Sequence, residues 1–409
     1  MDNPIVKARA EFNSHVAPGL ARQLGANVRE DGPSDRFAWF GDRERLVIVS
    51  GATEIAHRGV DLALAYGLHE RGTRSLTLVL PAGGEFSTLQ RAAWLKESTG
   101  VAVWTHDGAA AARSKVPTQQ KSIANVTAHL KGISPTEDMR RASTPKYLKD
   151  AAKPLEELAA WLNSHEHLDS GHRRGERSWQ CMGQRVLSIK SHAGGLRIRA
   201  GIHESDIEGW TDLPLDGYLT PQRLSGLKRR VDAGIEQRLR PGAKYNKPDE
   251  HWLQAVIRKK PSILGLEHPV LREVPAWRPL GTPEKWSRAF VDIIGVDGLG
   301  DIKVAETKLS TNADDLLVMQ GLDYFIWARA YKEWLADRLF TSKLVANPSV
   351  EFVIGSTTQG DIHLSHRAKS NADALNVPWR FRTVQNWFSA GPDEVPAAAV
   401  LLPVGGVPE

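Results

Sequence analysis

The chain has 409 residues, 41% of them hydrophobic, and a formal net charge of +5. That length suits two or three domains with cores of their own, and no apolar run approaches the roughly 20 residues a bilayer-spanning helix needs, so no membrane partner is expected. A single cysteine, Cys181, excludes an internal disulfide framework and a thiolate zinc cluster. The opening Met-Asp-Asn-Pro-Ile-Val-Lys lacks the charged-then-apolar pattern of a secretory leader, and the expected location is cytoplasmic.

Residues 1–108 read as an α/β domain. A helix over Ile5 to Leu24 and a short strand Phe37–Phe40 precede a buried-type strand, Leu46–Ser50. A helix from Glu54 to Glu70, a strand Ser75–Leu80, a helix Phe86–Glu97 and a strand Val101–Trp104 follow. This alternation predicts parallel β-α-β units and a Rossmann-like arrangement. The turn Ser50-Gly-Ala-Thr-Glu54 opens a helix, where backbone N–H groups can hold an anion, so a nucleotide effector is one expectation. The turn is neither a GxGxxG nor a Walker loop. Pro81-Ala-Gly-Gly-Glu85 is a similar turn after the second strand.

Residues 109–150 are polar and weakly periodic and read as a linker or mobile arm. Residues 151–240 read as a small β-rich module with a helix over Lys153–Ser164 and a hairpin of Gln184–Lys190 and Gly195–Ile202 around His192-Ala-Gly-Gly. His165, His167 and His172 are too loosely placed for a metal site. From Arg223 to Lys260 there are eleven Lys or Arg against four acids. Arg229, Arg230, Arg238, Arg240, Lys244, Lys247, Arg258, Lys259 and Lys260 are the candidate nucleic-acid contacts, because clustered cations attract a phosphate backbone irrespective of sequence. The competing reading is a solvated helix plus linker.

Residues 241–390 carry the chemistry. Pro248 to Pro261 is an amphipathic helix with Trp252, Leu253, Val256 and Ile257 on one face and Glu250 at its start. Two β-branched runs, Val291–Val296 and Ile302–Thr307, flank Asp297-Gly-Leu-Gly-Asp301, which has the glycines of a hairpin turn. A hairpin folded about Leu299 sets Asp292 opposite Glu306, with Cβ atoms about 4.5–5.5 Å apart. Strand alternation puts Glu306 and Lys308 on one face, continued by Ile294, Val296, Ile302 and Val304. Two such carboxylates repel unless a cation lies between them, and Mg²⁺ (or Mn²⁺) binds through one or two carboxylates plus phosphate. A lysine on the same face can hold a water and offset charge on a phosphate. A helix over Asn312–Leu339 follows, containing Gln320, Tyr324 and Trp327. Strands at Ser349–Ile354, Ile362–Ser365 and Trp379–Val384, with a helix Ala368–Leu375, extend a mixed sheet. Residues 391–409 form a Pro/Ala/Val/Gly-rich tail.

Helix, hairpin, acid-x-lysine, glutamine helix, further strand: in this order the region from Tyr245 to Phe388 resembles the PD-(D/E)XK nuclease superfamily, with its restriction-endonuclease-like fold. Phe290-Val-Asp292 stands where the motif has Pro-Asp, and Thr307 lies between acid and lysine. The resemblance implies Asp292, Glu306 and the Thr307 carbonyl as metal ligands, Lys308 as the catalytic lysine, and Glu250 and Gln320 as supporting catalytic residues. It also implies a 5′-phosphate product. Glu250-x-x-x-Gln254 followed by Pro-x-x-Leu is similar to a subset that includes bacterial mismatch endonucleases and phage-defence nucleases. The expectation is an Mg²⁺-dependent endonuclease acting on DNA rather than RNA, in phage defence or repair, and a homodimer or higher homo-oligomer if both strands are cut. The alternatives are a nuclease-fold DNA-binding or regulatory protein without activity, a nuclease gated by a nucleotide at the N-terminal domain, and an inert scaffold.

Overall fold

The computed structural model describes residues 3–55, 59–129, 153–173, 176–192, 195–202, 211–214, 219–279, 286–309, 315–337, 348–357 and 365–388. They form a mixed α/β protein with three sheets. Among them no helix is long and apolar enough to cross a membrane.

The first region opens with α1 (Pro4–Glu11), capped by Asn3, whose side chain accepts the Ile5 N–H at 3.0 Å. A π-helical turn, Phe12–Val16, leads into α2 (Ala17–Gln23). The sheet then runs β1 (Val28–Glu30), β2 (Phe37–Gly41), β3 (Arg45–Ser50), β4 (Ser75–Pro81), β5 (Val101–His106) and β6 (Ala111–Arg113), with α3 (Gly59–Glu70) and α4 (Phe86–Ala92) after β3 and β4. β1, β2 and β3 pair antiparallel, β3 to β5 parallel, and β6 antiparallel. The parallel strands are apolar on both faces, as covered parallel strands must be. The strand order follows the chain without reversal. A Rossmann-like sheet needs a reversal for its ligand crevice, so that part of the expectation is corrected to a mixed sheet led by an antiparallel meander.

Part of the stretch read as a linker is structured. It holds β6 and α5 (Gln119–His129), and α5 packs on a helix of the third region. Residues 130–150 and the tail lie outside the described residues. The middle region is α6 (Lys153–Asn163), an antiparallel five-stranded meander and α7 (Pro221–Leu239). The strands are β7 (Leu168–Arg173), β8 (Glu176–Cys181), β9 (Gln184–His192), β10 (Gly195–Ala200) and β11 (Thr211–Pro214). Leu224, Leu227, Val231 and Ile235 make the buried stripe of α7 at helical spacing.

The third region runs α8 (Glu250–Lys259), β12 (Leu266–Pro279), β13 (Trp286–Asp297), β14 (Ile302–Leu309), α9 (Leu317–Ala330), β15 (Ser349–Ser356), α10 (His366–Asp373) and β16 (Trp379–Gln385). β12, β13 and β14 pair antiparallel, and β14, β15 and β16 parallel. Of the strand expected at Ile362–Ser365, residues 362–364 lie outside the described residues. Ser365 is the N-cap of α10, accepting the Ala368 N–H at 3.1 Å.

The first and third regions therefore thread their first five strands alike: helix, three antiparallel strands, helix, parallel strand, helix, parallel strand. They also meet reciprocally, α3 on α10 and α9 on α4. Leu95, after α4, bridges Leu375, after α10, with Lys96 N–H donating to Ala374 O (2.9 Å) and Asn376 N–H to Trp94 O (2.7 Å). Like parts pairing in this reciprocal way are the mark of an isologous contact. One apolar core spans both regions, from Leu64 and Leu78 to Phe325 and Phe352, and a second joins the middle sheet to α8, β13 and β14.

Candidate active site

The β13–β14 hairpin has the expected register: Ile293 faces Ala305, Ile294 faces Val304 and Val296 faces Ile302. Its turn is held by Asp297, whose Oδ1 accepts the N–H groups of Leu299 and Asp301, each at 3.0 Å, and by Gly300 at φ +84°. The backbone ladder stops at Ile293 and Ala305. Beyond it the Asp292 side chain takes over, Oδ2 accepting the Thr307 N–H (2.9 Å) and hydroxyl (2.8 Å). β14 runs on beside β15, which fixes Glu306 and Lys308 on one face.

Glu250, in the first turn of α8, lies over the end of β14. Asp249 caps this helix, accepting the Trp252 N–H at 2.8 Å, and α8 buries Trp252, Leu253, Val256 and Ile257. Lys308 Nζ stands among Thr307 O (3.0 Å), Glu306 Oε1 (3.3 Å) and Glu250 Oε2 (3.7 Å). Two acids thus touch one ammonium, and the charge of Asp292 acts on it as well. Burial alone would pull the lysine down, but Glu306, Asp292 and Glu250 together hold its pKa above the ordinary value. Burial pushes Asp292 up against the opposing charge of Lys308. Burial and then the charge of Asp292 push Glu306 well above the usual carboxylate range.

Gln320, on α9, bridges two neighbours. In the amide orientation that satisfies both, its nitrogen donates to Glu306 Oε1 (2.9 Å) and its oxygen accepts from Arg278 Nη1 (3.2 Å). Glu306 Oε2 is buried and has no hydrogen-bond partner among the described residues. Tyr324, one turn after Gln320, is buried and its phenol is pushed up by burial and by Glu306.

These donors fit a hard divalent cation: Asp292, Glu306 with its unpartnered oxygen, and the Thr307 carbonyl. Among the described residues no group of three or more His, Cys, Asp or Glu converges as a ligand set.

The basic residues divide. Arg229, Arg230, Arg240, Lys244, Lys247, Lys259 and Lys260 are exposed. Arg258 is half-buried, 3.5 Å from Asp169. Arg238 corrects the sequence reading. It is 1% exposed, its guanidinium gripping both Asp249 oxygens (2.8 and 2.9 Å) and the carbonyls of Tyr245 and Met182, and stacked on Trp252. Buried and holding the α8 cap, it does not reach the surface where a nucleic acid would sit. The Ser50–Glu54 turn is likewise filled. The N–H groups of Glu54 and Ile55 bond within the turn, Phe12 packs on Gly51, and the buried Glu54 carboxylate is held by Arg9 and Arg36. An anion there would meet that carboxylate.

Several residues at the site escaped the sequence reading as parts of it. Gln254, one turn after Glu250, donates to Thr307 Oγ1 (3.0 Å) and accepts from Arg272 (3.0 Å). Arg278 reaches Asp323 on α9 (3.1 Å), and Asp323 takes Arg91 of α4 on both oxygens (2.8 Å each). Arg91 also pairs with Asp61 of α3, whose carboxyl it holds below the usual range against the pull of burial. The available signal was charge inside apolar helices, Asp61 in Gly-Val-Asp-Leu-Ala-Leu and Asp323 in Gly-Leu-Asp-Tyr-Phe-Ile, since such residues are buried only when paired. Comparison with known families, curated proteins and solved structures finds no match for this chain.

Proposed function

We propose that the chain is a metal-dependent endonuclease of the PD-(D/E)XK kind that hydrolyses DNA phosphodiester bonds. One observation carries this reading: half-buried Asp292 and buried Glu306 stand at the end of the β13–β14 hairpin, Glu306 has a buried oxygen without a hydrogen-bond partner among the described residues, and Lys308 lies 3.3 Å from its other oxygen. A buried site with more acid than base recruits a cation, and the half-buried edge at Asp292 and Lys308 leaves room for a substrate to reach it. The order of elements around it, α8, the β12–β14 meander, α9, β15, α10 and β16, agrees with what the sequence resemblance implies.

Asp292, Glu306 and the Thr307 carbonyl would hold Mg²⁺ or Mn²⁺, which supplies Lewis acidity and an activated water when bound. Lys308, beside Glu306, would orient the attacking water and offset charge on the phosphate oxygens. Glu250 keeps the ammonium near the site. Gln320 fixes the Glu306 carboxylate by its Oε1, which would leave Oε2 available as a ligand. The exposed cations flanking α8 draw the duplex in through its backbone, with affinity that falls as salt rises. DNA in phage defence or repair is the substrate setting that the resemblance suggests.

The test is nicking of supercoiled plasmid with and without Mg²⁺, beside Lys308→Ala. Cleavage that needs the metal and disappears in the variant is expected. Cleavage untouched by Lys308→Ala would assign the activity elsewhere, and binding without cleavage would favour a DNA-binding protein that has lost its chemistry.

A further inference from the structure

Both candidate metal carboxylates are held from behind by buried side chains, and each chain of contacts ends in a different flanking region. From Glu306 it runs through Gln320 (2.9 Å), Arg278 (3.2 Å) and Asp323 (3.1 Å) to Arg91 on α4 of the first region. From Asp292 it runs through Thr307 Oγ1 (2.8 Å), Gln254 (3.0 Å) and Arg272 (3.0 Å) to Gln180 on β8 of the middle region (3.1 Å). Resting on the nuclease reading above, we infer that the flanking regions are working parts of the active site: Arg91 and Gln180 are positioning residues that set the aim of Glu306 and Asp292.

Three features favour positioning over plain stability. Arg91 spans Asp61 and Asp323 with no exposed surface, and it meets Asp323 through two parallel bonds of 2.8 Å. Only a guanidinium makes that planar fork, which fixes direction as well as charge. Arg278 is shared: its Nε binds Asp323 and its Nη1 binds Gln320, so the direction set at Asp323 passes to the amide that touches Glu306. Finally, Arg91 and Arg278 balance Asp61 and Asp323 in charge. The assembly as a whole is neutral, though Arg278 also acts on Glu306 by its charge, and its hydrogen bond sets orientation. The second chain shares the fork, Arg272 joining Gln180 to Gln254, but includes no acid to balance it.

The experiment compares Arg91→Lys and Gln180→Met with Arg382→Lys. Arg382 also pairs with a buried acid of the third sheet, Glu351 (2.7 Å), but no hydrogen bond joins that pair to Glu306 or Asp292 among the described residues. Mn²⁺ binding is measured directly by electron paramagnetic resonance, and hydrogen exchange is followed over β13 and β14, each in the full chain. Loss of an outer partner of a metal ligand weakens binding about 10–100-fold. Arg91→Lys and Gln180→Met are expected at about the lower bound of that range, with faster exchange around Glu306 and Asp292 respectively. Arg382→Lys is expected to lower the melting temperature and leave Mn²⁺ affinity unchanged. Wild-type affinity and exchange in Arg91→Lys and Gln180→Met would overturn the inference, as would equal weakening in Arg382→Lys. If the wild-type protein takes up no Mn²⁺, the nuclease reading fails, and the exchange comparison still decides whether the flanks hold these strands.

Discussion

The first and third regions share one thread and differ in what it carries. Their hairpins close at Gly41–Leu46 and at Val296–Ile302. Counting outward equally from each closing pair, Phe37 stands where the third region has Asp292, Ser50 where it has Glu306, and Ala52 where it has Lys308. The leading helix is also charge-reversed. In the third region an acid of α8, Glu250, faces a lysine at the end of β14. In the first, Arg9 of α1 faces Glu54 just beyond β3. The third region crowds acids around a single ammonium. The other has closed the same corner with its own ion pairs, Arg9 and Arg36 on Glu54. The thread decides where side chains meet, and the side chains alone decide whether chemistry follows.

That comparison can be broken most sharply at the contact between the regions. Arg91→Ala leaves buried Asp61 with the Ser87 hydroxyl but no cation in contact, and Asp323 with Arg278 alone. Breaking a buried pair by removing one partner costs about 3–5 kcal/mol, so a loss of that size is expected in denaturant unfolding. Arg9→Ala should cost less, because Glu54 keeps Arg36. Equal losses would mean that the shared boundary is no more critical than the closed corner of the first region.

Next comes the asymmetry in chemistry. Glu306→Gln should lower metal-dependent nicking by roughly 10²–10³-fold, the usual loss when a single charge-stabilising group is removed from an active site. Ser50→Ala, at the matching place, should leave the rate unchanged. A comparable loss from Ser50→Ala would show that the first region is not chemically silent.

The gentlest probe is pH. Asp292 and Glu306 hold protons above the ordinary carboxylate range in the folded chain. Without metal, the stability they contribute is therefore present at low pH and lost as pH rises from the ordinary range through the raised values. A divalent cation must displace those protons, so its affinity should rise with pH over the same interval, by about tenfold per pH unit for one displaced proton. Calorimetric Mn²⁺ titrations at several pH values check this. An affinity flat with pH would mean that the acids are already ionised.

Local chemistry made the β13–β14 hairpin legible. Glycines at 298 and 300, β-branched runs on either side and period-two alternation settle register and face from the chain alone. The same logic found β3, β4, β5, β15 and β16. It missed β1 and β6, whose three residues offer no alternation to read, and it gave α5 to a linker because its polar composition hides one apolar side. It read the parallel run of β3, β4 and β5 correctly but gave no direction to β2, which is nearly wholly apolar and carries no sign of its own. Arg238 misled for a related reason: a cation in a basic run looks solvated until the acid it grips, Asp249, is brought beside it by the fold. Gln254, Arg272, Arg278 and Arg91 could not be joined into one site from the chain, because their partners lie far away in sequence.

The backbone bridge between Leu95 and Leu375 has a practical consequence. It zips the early part of the polypeptide to its late part, so in the folded chain the third region is packed against the first. A fragment beginning at residue 241 would bare the sides of α9 and α10 that α4 and α3 cover and leave Asp323 without Arg91. Dissecting this protein by truncation would silence the very residues it set out to isolate, and silence in such a fragment would say nothing about the intact chain.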